Sequence, residues 1–109
     1  MYTVINTPEQ WYEIAEGIAA EYGLPPGLAS AVVKQESGGN PHALSPKGAY
    51  GLGQLRPKTA KDLGVDRNNP WQNLEGMVKY LAQNYEEFGD WRQAIQAYTA
   101  HLQNLRQVA

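Results

Sequence analysis

The chain has 109 residues, a formal net charge of −2, no cysteine and two histidines. That length sustains one packed core but not two. The missing cysteines exclude disulfides and thiolate metal sites, and His42 with His101 is too little for a histidine-rich metal centre. A weakly acidic chain with no basic run is a poor match for nucleic acid, and no apolar stretch is long enough to span a bilayer. Residues 1–6 carry neither a basic n-region nor an apolar h-region. A role outside the cytoplasm therefore calls for a removed leader, a parent protein or another route of delivery.

Thr7-Pro8-Glu9-Gln10 predicts a helix start, with Thr7 as N-cap, proline in the first turn and Gln10 closing a capping box. Trp11, Ile14, Ala15, Ile18 and Tyr22 follow at helical spacing, while Glu9, Glu13, Glu16 and Glu21 fall mostly off that stripe. Trp11 is assigned to the core, and Gly23 ends the helix. After Pro25-Pro26, a short helix over 28–36 carries Leu28, Val32 and Glu36 at steps of four. That spacing sets the Glu36 carboxyl on the inward face. A carboxyl there loses water and lies at the negative end of the helix dipole, and both effects raise its pKa. A raised pKa is what a general acid needs near neutral pH.

Gly38-Gly39 closes this helix. Residues 40–56 mix Gly, Pro, Ser and Asn with apolar anchors at Leu44, Leu52 and Leu55. We read them as an ordered loop with room for a short β-hairpin; loops this long in a compact domain are often functional. A helix over 57–63 is closed by Gly64, and 66–69 is turn material. Asn69-Pro70 opens the longest helix, with Leu74, Met77, Val78, Leu81, Tyr85 and Phe88 on its apolar face. Gly89 stops it, and Asp90 starts a last helix with Ile95, Tyr98, Leu102 and Leu105 toward the core. The expected fold is a single all-α domain over 1–109, about five helices with one elaborate loop.

Ser30, Ser37 and Ser45 show no partner pattern for a nucleophile, and no G-x-S-x-G elbow is present. The glycines of 48–53 lack the G-K-[ST] ending of a phosphate loop. Carboxylate chemistry remains, with Glu36 the one acid placed on an apolar face.

Glu36-Ser37, Asn40-Pro41-x-Ala43, Ser45-x-x-Gly48-Ala49-x-Gly51-Leu52-x-Gln54-Leu55 and Pro57-x-Thr59-Ala60 together resemble the lytic transglycosylase (SLT) domain. The likeness runs on through Asn73, Gly76, Tyr80-Leu81 and Ala97-Tyr98, covering roughly residues 24–100. The resemblance implies the lysozyme-like fold shared with goose-type lysozymes, and an enzyme that works on peptidoglycan glycan strands without a cofactor or metal. It implies Glu36 as the single catalytic acid/base, cleaving between N-acetylmuramic acid and N-acetylglucosamine to leave a 1,6-anhydro end. Ser37, Ser45, Tyr50, Gly51, Leu52, Gln54, Tyr80 and Tyr98 are the implied substrate-binding residues. Glycines would let the backbone approach the sugar, Gln54 would offer its amide, and the Tyr98 hydroxyl would orient the acid.

The chain departs from the family pattern twice. Gly53 stands where methionine is usual, and Thr99-Ala100-His101-Leu102-Gln103 replaces an Asn-Ala-Gly turn, so the last helix is expected to continue. Two alternatives stay open: a goose-type lysozyme-like hydrolase, with Asp62, Asp66 or Glu75 as the further acid, and a wall-binding domain of weak or no activity. The expected setting is the cell envelope or periplasm, the extracellular space or a phage particle. The chain would be a monomer or one domain of a larger envelope, secretion or phage protein.

Overall fold

A computed structural model describes residue 5 and residues 7–107, with side chains described as far as Ala100. Helices α1 (Pro8–Glu21), α2 (Leu28–Ser37), α3 (Pro57–Leu63), α4 (Pro70–Phe88) and α5 (Trp91–Gln107) follow in order. Their starts are set by local side chains. The Thr7 hydroxyl accepts from Gln10 N–H at 3.3 Å, and the Gln10 carboxamide accepts from Thr7 N–H at 3.1 Å, which is the expected capping box. Asn69 accepts from Gln72 N–H at 3.2 Å to open α4, and Asp90 from Arg92 N–H at 3.1 Å to open α5. Gly38, Gly64 and Gly89 close α2, α3 and α4 in the left-handed conformation.

The start of α2 is different, because its own N-cap, Gly27, has no side chain to offer. Glu16 of α1 supplies the cap instead. Its carboxylate accepts from Gly27 N–H at 2.7 Å and from both Ser30 N–H and Ser30 Oγ at 2.9 Å. Burial pulls the Glu16 pKa up, but these hydrogen bonds outweigh it and hold the carboxyl below its ordinary value. A lowered folded pKa adds stability that is present above the unfolded pKa and lost as pH falls through the folded one. Glu16→Ala should cost about 1–2 kcal/mol in urea unfolding at neutral pH. The gap to wild type should narrow at acid pH, once the wild-type carboxyl is protonated too.

Helix α4 is the hub, packing against α1, α3 and α5. Its Leu74, Met77, Val78 and Leu81 are buried with Ala15 and Ala19 of α1, Val32 and Val33 of α2, and Tyr98 of α5. Trp11 is buried as expected, its ring edge-on to Trp71 with centroids 5.0 Å apart. The apolar stripe of α4 ends earlier than expected, since Tyr85 and Phe88 are exposed. There the helix meets the start of α5, where Tyr85 stacks on Trp91 at 4.1 Å.

The hairpin expected in the loop reduces, among the described residues, to two isolated antiparallel bridges, Leu44 to Tyr50 and Tyr50 to Leu55. Leu52 and Leu55 anchor the loop in the core, but Leu44 is 68% exposed. Residue 44 is held by its backbone bridge, so its side chain is free to face outward. Helix α5 runs through 99–103 without a break, as its sequence led us to expect. The side chains of His101, Leu102 and Leu105 lie outside those described. Among the described residues no helix is long and apolar enough to cross a membrane.

Candidate active site

Glu36 sits in the last turn of α2, one turn beyond the buried Val32. The side chain is half-buried, and burial raises its pKa to about 7. Desolvation of the charged form is the cause, with no contribution from a neighbouring acid. Next to it, Ser37 Oγ donates to Val33 O at 3.1 Å and accepts from Gly39 N–H at 3.2 Å. Ser37 thus closes the helix that presents the acid.

The loop after α2 is tied together from within. Ser45 N–H donates to Ala49 O at 2.9 Å while Ser45 Oγ accepts from Ala49 N–H at 3.0 Å. Tyr50 and Leu55 exchange both backbone hydrogen bonds, at 2.9 and 3.0 Å. Gln54 adopts a left-handed backbone, φ 54°, rare for a residue with a side chain. Its carboxamide folds back under the loop, where Nε2 donates to Ala43 O and Gly51 O at 3.0 Å each. Only 5% of Gln54 is exposed, so these amide protons shape the loop. Leu52 is wholly buried. Tyr50 holds its hydroxyl 3.2 Å from His42 Nδ1, with the Arg67 guanidinium 5.7 Å from its ring centre.

Two residues outside the loop fix it to the helices. Asn73, fully buried on α4, accepts from Gly53 N–H at 2.7 Å and donates to Tyr50 O and Arg67 O at 2.9 Å each. Arg67 donates through one nitrogen to Gly48 O at 2.6 Å and Leu55 O at 2.9 Å. Both contacts join residues far apart in sequence, and only one left a trace there. A buried amide on the apolar stripe, one position before Leu74, marks a backbone needing partners; Arg67, in a turn, gave no signal.

The third tie comes from α5. Tyr98 is fully buried, and its hydroxyl donates to Gly53 O at 2.6 Å. Burial pushes the phenol well above its ordinary pKa, and the negative charge of Glu36 and the nearby Tyr80 push it further. The Tyr80 and Tyr98 rings meet at 5.2 Å. These contacts explain why residue 53 is glycine. A Cβ there would stand 2.8 Å from Met77 Cβ and 3.0 Å from Tyr98 Oη. At Gly51, φ is 84° and a Cβ would run into the Asn73 amide.

Gly53 is thus where loop, α4 and α5 meet, and Tyr98 links that point electrostatically to Glu36. Tyr50, Gly51, Leu52, Gln54, Tyr80 and Tyr98 gather around this junction, while Ser37 and Ser45 close local turns on either side. Three further acids have partners of their own. Asp62 pairs with Lys58 at 2.9 Å, Asp66 accepts from Asn68 N–H at 3.0 Å, and Glu75 accepts from the Tyr22 hydroxyl at 3.3 Å. Among the described residues no three His, Asp or Glu side chains form a group that could hold a metal.

Five helices packed in this way, with Glu36 half-buried at the end of α2, fit the lysozyme-like class of all-α domains. Within that class the chain belongs to the Transglycosylase SLT domain family, whose sequence pattern matches residues 13–109. It is 44% identical over 90 residues to the Transglycosylase of Enterobacteria phage PRD1, covering 82% of this chain and 34% of that protein. It is 40% identical over 79 residues to Membrane-bound lytic murein transglycosylase F 2 of Alkalilimnicola ehrlichii, covering 72% and 17%. Against Endo-type membrane-bound lytic murein transglycosylase A of Klebsiella pneumoniae, identity is 47% over 51 residues, covering 47% and 25%. The chain therefore spans about a third or less of the length of these curated relatives.

Proposed function

We propose that this domain is a peptidoglycan lytic transglycosylase in which Glu36 is the only catalytic carboxyl. The observation that carries this reading is the half-buried Glu36 itself, protonated up to about pH 7 by burial and not by a second acid. Glu36 first gives its proton to the glycosidic oxygen between N-acetylmuramic acid and N-acetylglucosamine, and the bond from muramyl C1 to that oxygen breaks. The Glu36 carboxylate then takes the proton of the muramyl 6-hydroxyl as its oxygen bonds to C1. The acid is restored, no water is consumed, and the product ends in a 1,6-anhydro ring. The attacking hydroxyl belongs to the same ring, which confers the advantage of an intramolecular reaction.

Hydrolysis asks for more. Inversion needs a second carboxyl roughly 6.5–9.5 Å away with water between, and retention needs a protein nucleophile closer in. That no second acid contributes to the raised Glu36 pKa supports the single-acid route. Tyr50, Gly51 and Tyr80 would border the sugar, and Tyr98 would orient the acid. Leu52 and Gln54 would serve from beneath, holding the shape of the binding surface, with Ser37 and Ser45 fixing its ends. The names of the relatives support action on the wall from the envelope or from a phage particle.

Mass spectrometry of fragments released from purified sacculi tests the chemistry directly. 1,6-Anhydromuramic ends should dominate, and borohydride should reduce few of them. A digest rich in reducible muramic ends would make the domain a hydrolase, and walls bound but left intact would make it a binding module. The pH profile provides a second check. The acid must be protonated at the first step, so kcat/KM should fall as pH rises through about 7. A rate flat from pH 5 to 9 would remove Glu36 from that role.

A further inference from the structure

We propose that His42 is a positioning residue: through the Tyr50 hydroxyl it sets the Tyr50 ring for an N-acetylated sugar of the glycan, and so governs how tightly the domain holds its substrate. The inference rests on the reading of the site given above.

Tyr50 is half-buried, yet its backbone, ring and hydroxyl are all held. Its backbone exchanges both hydrogen bonds with Leu55, and its carbonyl also accepts from Asn73 Nδ2 at 2.9 Å. The Arg67 guanidinium lies over the ring, 5.7 Å from its centre, within cation–π range. The hydroxyl lies 3.2 Å from His42 Nδ1. His42 is itself tied to the end of the helix that bears the acid. Its N–H donates to Asn40 Oδ1 at 2.9 Å, and Asn40 N–H donates to the carbonyl of Ser37, the residue after Glu36, at 3.2 Å. On the other side, Asn73 joins Tyr50 to Gly53, the Gly53 carbonyl accepts from Tyr98, and Tyr98 lies within the field of Glu36. The His42–Tyr50 contact therefore links the acid's own helix to the floor of the loop.

His42 is exposed, so the contact lies where a ligand can reach it. A tyrosine fixed before binding offers a ring for the apolar side of a pyranose and a hydroxyl for its acetamido or hydroxyl groups, at little ordering cost. The imidazole keeps the bond in either tautomer. Nδ1 accepts the phenol proton or, as Nδ1–H, donates to the phenol oxygen, and the remaining capacity of the hydroxyl is left for the ligand. The pattern that links the chain to its family, Asn40-Pro41-x-Ala43 and Gly48-Ala49-x-Gly51, leaves positions 42 and 50 open. The pair is therefore a place where this chain sets its own grip on the sugar.

The test is a double-mutant cycle of His42→Ala and Tyr50→Phe, read as binding of soluble glycan strands in the Glu36→Gln background, where cleavage does not consume the ligand. His42→Ala should weaken binding about three- to tenfold, the weight of one hydrogen bond, and melt within a few degrees of its parent. Added to Tyr50→Phe, it should change binding by less than about twofold. His42→Asn, whose side-chain amide falls where Nδ1 stood, should restore most of the loss. With Glu36 present, the loss should appear in KM and leave kcat within about twofold. Binding unchanged by His42→Ala, effects of the two variants that simply add, or a loss that follows the melting temperature and is not repaired by His42→Asn would overturn the proposal. So would strands that do not bind at all. A wild type that binds strands but leaves them uncut would defeat the reading of Glu36, and the cycle would still decide His42. Anhydro-ended products together with an additive cycle would defeat His42 alone.

Discussion

Glu36→Gln should reduce wall cleavage by about 10²–10⁴-fold, the usual range for losing a general acid. Glutamine keeps the shape of the side chain and has no proton to give. The fold should survive and even gain stability at alkaline pH. The Glu36 pKa is raised to about 7 in the folded chain, so the folded state binds this proton more tightly than the unfolded one. Its favourable contribution is fully present below the unfolded pKa and is lost as pH rises through the folded value. Above that window the wild type holds a half-buried charge that glutamine lacks. A melting point for Glu36→Gln above wild type at pH 8, with the difference closing toward pH 4, is the expected signature. Activity near wild type would end the catalytic assignment, and a lower melting point at pH 8 would mean that the charge has partners.

The second large effect is expected at Asn73. Asn73→Ala removes one acceptor and two donors at once, leaving Gly53 N–H and the carbonyls of Tyr50 and Arg67 without this partner. Tyr50 O keeps Leu55 N–H; at about 1–3 kcal/mol for each of the other two buried polar groups left unsatisfied, a loss of about 2 kcal/mol or more is expected. In a domain of this size that corresponds to roughly 4–8 °C of melting temperature per kcal/mol. Asn73→Asp separates the parts of the effect. It still accepts from Gly53 but brings a carboxylate against two carbonyls, so it should be at least as damaging at pH 7 and partly recover in acid, where a protonated carboxyl can donate once. Wall cleavage should fall with both variants, because the loop bordering Glu36 hangs from this side chain. An Asn73→Ala protein that melts within a few degrees of wild type would show that the loop is held by other means.

The helices were legible in the sequence because their punctuation is local. Thr7 with Gln10, Asn69-Pro70, Asp90 and the glycines at 38, 64 and 89 each act within a turn, and the structure uses every one. The inward placement of Glu36 was legible for the same reason, through its four-residue step from Val32. Contacts that span the chain were not. Glu16 reads as a surface acid until α2 is laid beside it, and then it is the cap that Gly27 cannot provide. Gln54 reads as an outward amide, but its left-handed backbone folds the side chain under the loop. Arg67 sits in a turn with no periodicity, and its two carbonyl partners lie 12 and 19 residues away.

The triple attachment at Gly53 bears on how a glycan strand would be received. Its N–H is held by Asn73, its carbonyl by Tyr98, and the space over its Cα by Met77. A segment pinned on three sides is a template, not a lid. Binding to it incurs little ordering cost in the protein, and the adaptation falls to the sugar ring, which must bring C6 over C1. Opening the template means breaking the Asn73 and Tyr98 hydrogen bonds at Gly53 together, which places the segment at the more stable end of local opening. Turnover in this domain should therefore carry no step for a gating motion of the loop.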